Sequence, residues 1–283
     1  MCRFAAYLGP EIFISSLVTE PRHSIIHQSY HAKERIEPLN GDGFGIGWYA
    51  PPFCDAPAVF KDVAPAWSNQ NLRNVARVTK STCIFAHVRA ATVGGQVSQS
   101  NCHPFSWKNY LFMHNGTVFG FDKIRRVLRQ GLSDEVEEFI QGNTDTEHVF
   151  ALFLDEIKDN SAPDLEQLSL ALLMAISRLE QMKREAGVVK PSTLNLVLSD
   201  GKRMLATRYV SKGYASNSLY LLIGGQFHCR EGLCSMDGGQ EAVLIASEPL
   251  NRSKKWQKVE NNHLVAVDYD RTTSIVPIET RLP

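Results

Sequence analysis

Short apolar runs broken by Gly, Asn and Pro fill the first part of the chain. CRFAAYL, GFGIGWYA, CIFAHVRAAT and NYLFMHNG are rich in aromatic and β-branched residues and read as strands. The pattern then changes to helical spacing. FDKIRRVLRQG starts at a cap on Asp122, and TDTEHVFALFLDEI sets Thr144 and Glu147 at capping-box spacing. DLEQLSLALLMAISRLEQMKREAG is the longest amphipathic run, closed by Gly187. Strands return in TLNLVLSDGKRMLATRY, which turns at Asp200-Gly201, and in SLYLLIGGQF, EAVLIASEPL and HLVAVDYD. Strands, then helices, then strands predict one α+β domain over residues 1–283, with two packed sheets covered by helices. Regular βαβ alternation is missing. GDGFGIG also lacks GxGxxG spacing ahead of a helix, so a parallel dinucleotide-binding sheet is disfavoured.

Charge and composition narrow the partners. Lys plus Arg equals Asp plus Glu at 30 each, so no basic footprint for nucleic acid or an anionic membrane is present. No run approaches the roughly 20 apolar residues of a membrane span. The apolar start is interrupted by Pro10 and Glu11 before it can serve as a signal peptide, and a soluble, cytoplasmic protein is expected. Of the six cysteines, Cys229 and Cys234 lie nearest each other in HCREGLC, with no second pair to complete a zinc site. A chain this long does not need disulfides, and reduced thiols are expected.

Candidate chemistry begins at the second residue. Were Met1 removed, Cys2 would carry a thiol and a free α-amine whose ordinary pKa is about 8, so nucleophile and general base would share one residue. The competing reading is a small buried hydrophobe. FMHNGT ends a β-rich run at Asn115-Gly116, which suits either a hairpin turn or a pair of oxyanion donors, the Asn amide and the Gly N–H. AHVRAAT sets Arg89 at a strand end with Thr92 after it. Its guanidinium fork fits a carboxylate, and equally a structural ion pair. Asp145 in GNTDTE opens a helix, where its charge complements the dipole or meets a ligand ammonium. His23, His27 and His31 recur at every fourth residue, but no HExxH relation or acid cluster supports a metal. Partner contacts or a helix end fit these imidazoles better.

Taken together, Met1-Cys2-Arg3, NGDGFGIGWY, FAHVRAAT, NCHPF, FMHNG, GNTDTE and the late ASEPL followed by Trp256 resemble the class II glutamine amidotransferases, a group of N-terminal-nucleophile hydrolases. The chain looks most like the branch with the fungal glutathione-degrading amidotransferase subunit and the ergothioneine-pathway γ-glutamyl hydrolase. The resemblance implies a four-layer αββα sandwich of two mainly antiparallel sheets flanked by helices. It also implies Cys2 as nucleophile and, through its amine, base, with Asn115 and Gly116 as the oxyanion hole. Arg89, helped by Thr92, would hold a γ-glutamyl α-carboxylate, and Asp145 its α-ammonium. The two opposite charges match the two ends of a glutamyl group. No cofactor or metal is expected.

The activity expected is hydrolysis of the γ-glutamyl amide of a small molecule: glutathione, a γ-glutamyl conjugate, or glutamine. Alternatives are a glutaminase subunit feeding ammonia to a synthase partner, and a catalytically silent γ-glutamyl-binding scaffold. The sandwich leaves no length for an appended synthase domain, so the partner protein implied is separate, of peptidase or synthase type.

Overall fold

The computed structural model describes residues 2–34, 39–51, 53–91, 96–211, 216–238 and 241–278. The chain opens with β1 (Arg3–Phe13) and two short helices, α1 (Ser15–Val18) and α2 (Ile25–Tyr30). It continues through β2 (Phe44–Ala50), β3 (Cys54–Asp62), α3 (Gln70–Val78) and β4 (Lys80–Val88). β5 (Phe105–Trp107) and β6 (Tyr110–Thr117) lead into four helices, α4 (Phe121–Gln130), α5 (Asp134–Phe139), α6 (Asp145–Ile157) and α7 (Leu165–Glu185). Next come β7 (Thr193–Ser199), β8 (Met204–Val210), β9 (Tyr220–Gly224), the hairpin β10 (Phe227–Arg230) and β11 (Leu233–Met236), and β12 (Ala242–Ala246). The two-residue β13 (Gln257–Lys258), β14 (His263–Val267) and β15 (Thr273–Pro277) close the fold.

Among the described residues the strands form two large antiparallel sheets, in the orders β13-β9-β12-β1-β4-β2-β3 and β15-β14-β8-β7-β6-β5. Side-chain alternation along the central strands explains the layers. On β1, Phe4, Ala6 and Leu8 point between the sheets with Cys83 and Phe85 of β4 and Leu111 and Met113 of β6. Ala5 and Tyr7 point the other way, onto the core shared with α1, α2 and α3. On β6 and β7, Phe112, Leu194, Leu196 and Leu198 face a third core under α4–α7, where Phe112 stacks on Phe150 at 4.8 Å. Both faces of these strands are buried, which is why they read as near-continuous apolar runs. This is the αββα sandwich expected.

Local details depart from the sequence reading. The cap of α4 is Gly120 in the left-handed region, with Asp122 inside the first turn. Thr144 does cap α6 by accepting from Glu147 N at 3.2 Å, but the Glu147 carboxylate turns away to the Gln141 and Gly142 N–H groups. The complete capping box belongs to Asp164 and Gln167 on α7. Cys229 and Cys234, expected as free thiols, face each other across the β10–β11 hairpin and form a disulfide. Direct cross-strand pairing brings their Cβ atoms into bonding reach, a proximity that linear spacing does not reveal.

The architecture directs several strand ends to one place. Arg3 pairs with Val88, so the start of β1 meets the end of β4. Ala5 pairs with Ala246, so the end of β12 arrives on the other side of β1. Asn115 and Gly116, near the end of β6, reach the same region from the second sheet.

Candidate active site

Cys2 is half-buried and free, and its Sγ lies 3.7 Å from the Ala90 carbonyl, a long contact that leaves the sulfur unencumbered. Its own carbonyl is fixed by Arg3 Nη1, which donates at 2.9 Å. Arg3 is 1 % exposed, and it also donates from Nη2 to Glu34 O at 3.0 Å and from Nε to Glu248 Oε1 at 2.7 Å. Met1 lies outside the described residues, as does Thr92.

Asn115-Gly116 is no turn: Asn115 pairs with Asn195 and Gly116 with Leu194 inside a continuous ladder. Asn115 is fully buried. Its Oδ1 and its carbonyl both accept from Asn217 Nδ2, at 3.4 and 3.2 Å, which orients the amide so that Nδ2 is turned towards β1. That Nδ2 approaches Ser247 Oγ at 3.3 Å, and the same hydroxyl accepts from Phe4 N at 3.1 Å. One serine thus ties the second sheet to the strand that begins at Cys2. Gly116 is required by close approach, since a Cβ there would overlap the Thr193 carbonyl and the His114 ring. His114 donates from Nε2 to Thr193 O at 3.0 Å and accepts the Thr146 hydroxyl on Nδ1 at 3.0 Å. Burial lowers its pKa, which keeps the ring neutral and suited to both bonds.

Arg89 sits one residue past β4 and is 5 % exposed. Its guanidinium meets only carbonyls, Asp42 O at 3.4 Å and Gln96 O at 3.2 Å, and among the described residues no acid pairs with it. Asp42 is occupied elsewhere, its Oδ2 accepting from Ala91 N at 2.8 Å. A nearly buried cation with two long carbonyl contacts retains capacity for an anion. Asp145 accepts Val118 N on Oδ2 and Thr146 N on Oδ1, each at 2.8 Å, with the Thr146 hydroxyl 3.4 Å from Oδ1, so Oδ2 keeps a lone pair for a further donor. Asn101 joins the loops around this pair. It donates to Gln96 O at 3.0 Å and to Asn143 Oδ1 at 2.9 Å, and accepts from Asn143 N at 3.0 Å.

The sequence reading did not single out Glu248. This carboxylate is 1 % exposed and takes five hydrogen bonds from four donors: Arg3 Nε, His23 Nε2 at 2.7 Å, Lys33 N to both oxygens, and Glu34 N. Burial alone would raise its pKa. The hydrogen bonds from His23 and the two amides, with the Arg3 charge, override burial and bring it down to about 2. The histidine series is accounted for here. His23 pairs with Glu248 and touches His27 through Nδ1 atoms 3.2 Å apart, and His31 caps the C-terminus of α2. Helix-end roles therefore fit the imidazoles. Among the described residues no group of three or more His, Cys, Asp or Glu is arranged to hold a metal.

Glu248 also sets an acid limit. Its folded pKa of about 2 lies below its ordinary 4.5, so its stabilisation is complete above about 4.5 and is lost as pH falls through 2. Urea unfolding across that window should show stability falling, with about 3 kcal/mol from this group. Glu248→Gln should be less stable at pH 7 and flatter between pH 4.5 and 2. Asp155, also brought down to about 2, keeps part of the slope. An unchanged slope in Glu248→Gln would contradict the network.

The geometry now has a thiol at a strand start, a buried amide donor joined to that strand through Ser247, a cation just past β4 and an anion in the first turn of α6. Such a set suits acyl transfer on a zwitterionic substrate. Residues 17–223 match the family model described as glutamine amidotransferases class-II. The chain belongs to that family, and is an enzyme of the amidohydrolase type.

Among known proteins it is similar to the probable glutamine amidotransferase DUG3 of Saccharomyces cerevisiae, 38% identical, over 94% of this chain and 82% of that protein. It is also 28% identical to the gamma-glutamyl-hercynylcysteine sulfoxide hydrolase of Mycobacterium tuberculosis, over 94% of this chain and 93% of the relative. A glutamine aminotransferase class-II domain protein from Silicibacter pomeroyi superposes with a TM-score of 0.67 at 26% identity, covering 98% of this chain and 99% of that one.

Proposed function

We propose that the chain hydrolyses the γ-glutamyl amide bond of a small molecule through a γ-glutamyl thioester on Cys2, releasing glutamate. The observation that carries this reading is the pair Arg89 and Asp145: a nearly buried guanidinium with no acid partner among the described residues, and a carboxylate whose Oδ2 has a lone pair to spare. A glutamyl group presents a carboxylate and an ammonium on one carbon, so the pair reads both charges and leaves the γ-carbonyl to the nucleophile. The yeast relative is named an amidotransferase and the mycobacterial one a γ-glutamyl hydrolase, and both names agree with this chemistry.

With Met1 removed, Cys2 Sγ attacks the γ-carbonyl carbon while the α-amine takes the thiol proton. Asn115 Nδ2 and Gly116 N–H stabilise the oxyanion. As the tetrahedral intermediate collapses, the C–N bond breaks and the α-ammonium protonates the departing amine. Water then adds to the thioester, losing its proton to the α-amine. The C–S bond breaks, the thiol recovers that proton, and glutamate leaves. The same reading takes residues 1–283 as a single class II domain. From the family resemblance alone, it adds a cytoplasmic setting and a peptidase-type partner.

Glutamate release from glutamine, glutathione and γ-glutamyl conjugates tests the proposal, with intact mass reporting loss of Met1. Release from a conjugate is expected. Turnover of glutamine alone would favour an ammonia donor, and silence on all substrates with Met1 gone would overturn the reading. Arg89→Ala should lower kcat/KM about 10²-fold, mostly through KM, since it removes a carboxylate contact made throughout the reaction. Steady-state kinetics check this, and a pure kcat loss would contradict a binding role.

A further inference from the structure

On the far side of the Arg3–Glu248 bond from Cys2 lies a cavity of about 710 Å³, walled by Gly232–Asp237, which spans β11, on one side and by residues 249–253 with Lys255 on the other. Arg22, His23, Lys33, Glu34 and Glu248 form its floor. Its size suits a small organic ligand. Its position follows from the sheet order. β1 lies between β12 and β4, with Arg89 at the end of β4, Cys2 at the start of β1, and Glu248 just past the end of β12. Adjacent strands are about 4.8 Å apart, so the three points step across the sheet edge one strand at a time. The Arg3 guanidinium spans the second step, holding the Cys2 carbonyl with Nη1 and Glu248 with Nε.

A substrate whose glutamyl end sits at Arg89 and whose scissile carbonyl sits at Cys2 therefore continues towards this cavity. The acids there are engaged: Glu248 with Arg3 and His23, Glu34 with the Tyr220 hydroxyl, and Asp237 with Lys255 at 3.6 Å. Arg22, Lys33 and Arg252 line the cavity with no acidic partner among the described residues. The balance at the surface offered to a ligand is cationic. The wall carrying Gly232–Asp237 is braced by the Cys229–Cys234 disulfide.

We propose that this cavity is the leaving-group subsite and that Arg22, Lys33 and Arg252 bind a carboxylate on the amine side of the scissile amide. The inference rests on the γ-glutamyl hydrolase reading, whose glutathione candidate carries such a carboxylate, and adds to it the side chains that read that charge and favour it over ammonia or a neutral amine.

The test compares γ-glutamyl-alanyl-glycine with its C-terminal amide, which differ only in that charge and contain no thiol. The wild-type chain should favour the free acid by about tenfold in kcat/KM, as one partly exposed charge contact warrants. Arg252→Ala and the double variant Arg22→Ala, Lys33→Ala should bring the acid-to-amide ratio towards one. Arg252→Glu should carry it below one. These side chains are exposed, so a melting curve alongside each variant separates selectivity from folding. Equal rates on acid and amide in the wild type, or variants that slow both alike, would overturn the subsite while leaving γ-glutamyl hydrolysis standing. If neither peptide nor any other γ-glutamyl amide were cleaved, the hydrolase reading and the subsite would fall together.

Discussion

Cys2→Ala should lose glutamate release from every γ-glutamyl amide by at least about 10⁴-fold, as removal of a nucleophile does elsewhere. Its melting temperature should stay that of the parent. The side chain is half-exposed, and among the described residues its one hydrogen-bond contact is the 3.7 Å approach of Sγ to Ala90 O, so little packing is lost. The backbone carbonyl that Arg3 holds is kept, so the α-amine remains in place without a thiol to activate. Glutamate assay and thermal melt on the same preparation check both halves. Residual turnover above about a hundredth of the parent would show that the thiol is not the nucleophile.

Asn115→Ala should lower kcat about 10²–10³-fold with a much smaller change in KM, which corresponds to roughly 3–4 kcal/mol of transition-state stabilisation. The reasoning is geometric. Asn217 holds Oδ1, so the amide cannot turn over and its Nδ2 stays presented beside the β1 terminus. A donor fixed before reaction needs no reorganisation when the oxyanion forms. Alanine also strips Asn217 and Ser247 of a buried partner, so the melting temperature should fall as well. Single-turnover kinetics separate the two effects, because acylation slows even in the fraction that is folded. A KM-dominated loss would move Asn115 from oxyanion donor to substrate binding.

How much of this was legible in the sequence depended on what kind of residue was sought. Cys2, Arg89, Asn115, Gly116 and Asp145 stand out as candidates within short, distinctive segments, and the fold ties Cys2 to Ala90, Asn115 to Ser247 beside β1, and Asp145 to Val118 just past β6. Whether Asn115-Gly116 was turn or strand stayed open until its register with Asn195 and Leu194 resolved it. Asn217 went unmarked, and Ser247 and Glu248 entered only within ASEPL with no role assigned, for a physical reason: their side chains hold other residues, and the partners are 102 to 245 positions away. β3 was missed because CDAPAVFKD contains Pro57, which an edge strand tolerates, and β3 is the edge of its sheet. α3 was missed because only Leu72 and Ala76 along it are buried, too few to mark a stripe. The cysteine pair was misjudged by an argument from chain length, which says what a fold needs and nothing about which side chains a hairpin sets face to face.

The bond between Arg3 and Glu248 joins residues 245 positions apart, and that separation orders events during synthesis. At roughly 5–20 residues per second, Glu248 leaves the ribosome about 12 s or more after Cys2. Until it does, Arg3 has no carboxylate to hold it and Asn115 lacks Ser247. On the proposed reading, Cys2 therefore waits at least that long for the carboxylate that fixes the strand it opens.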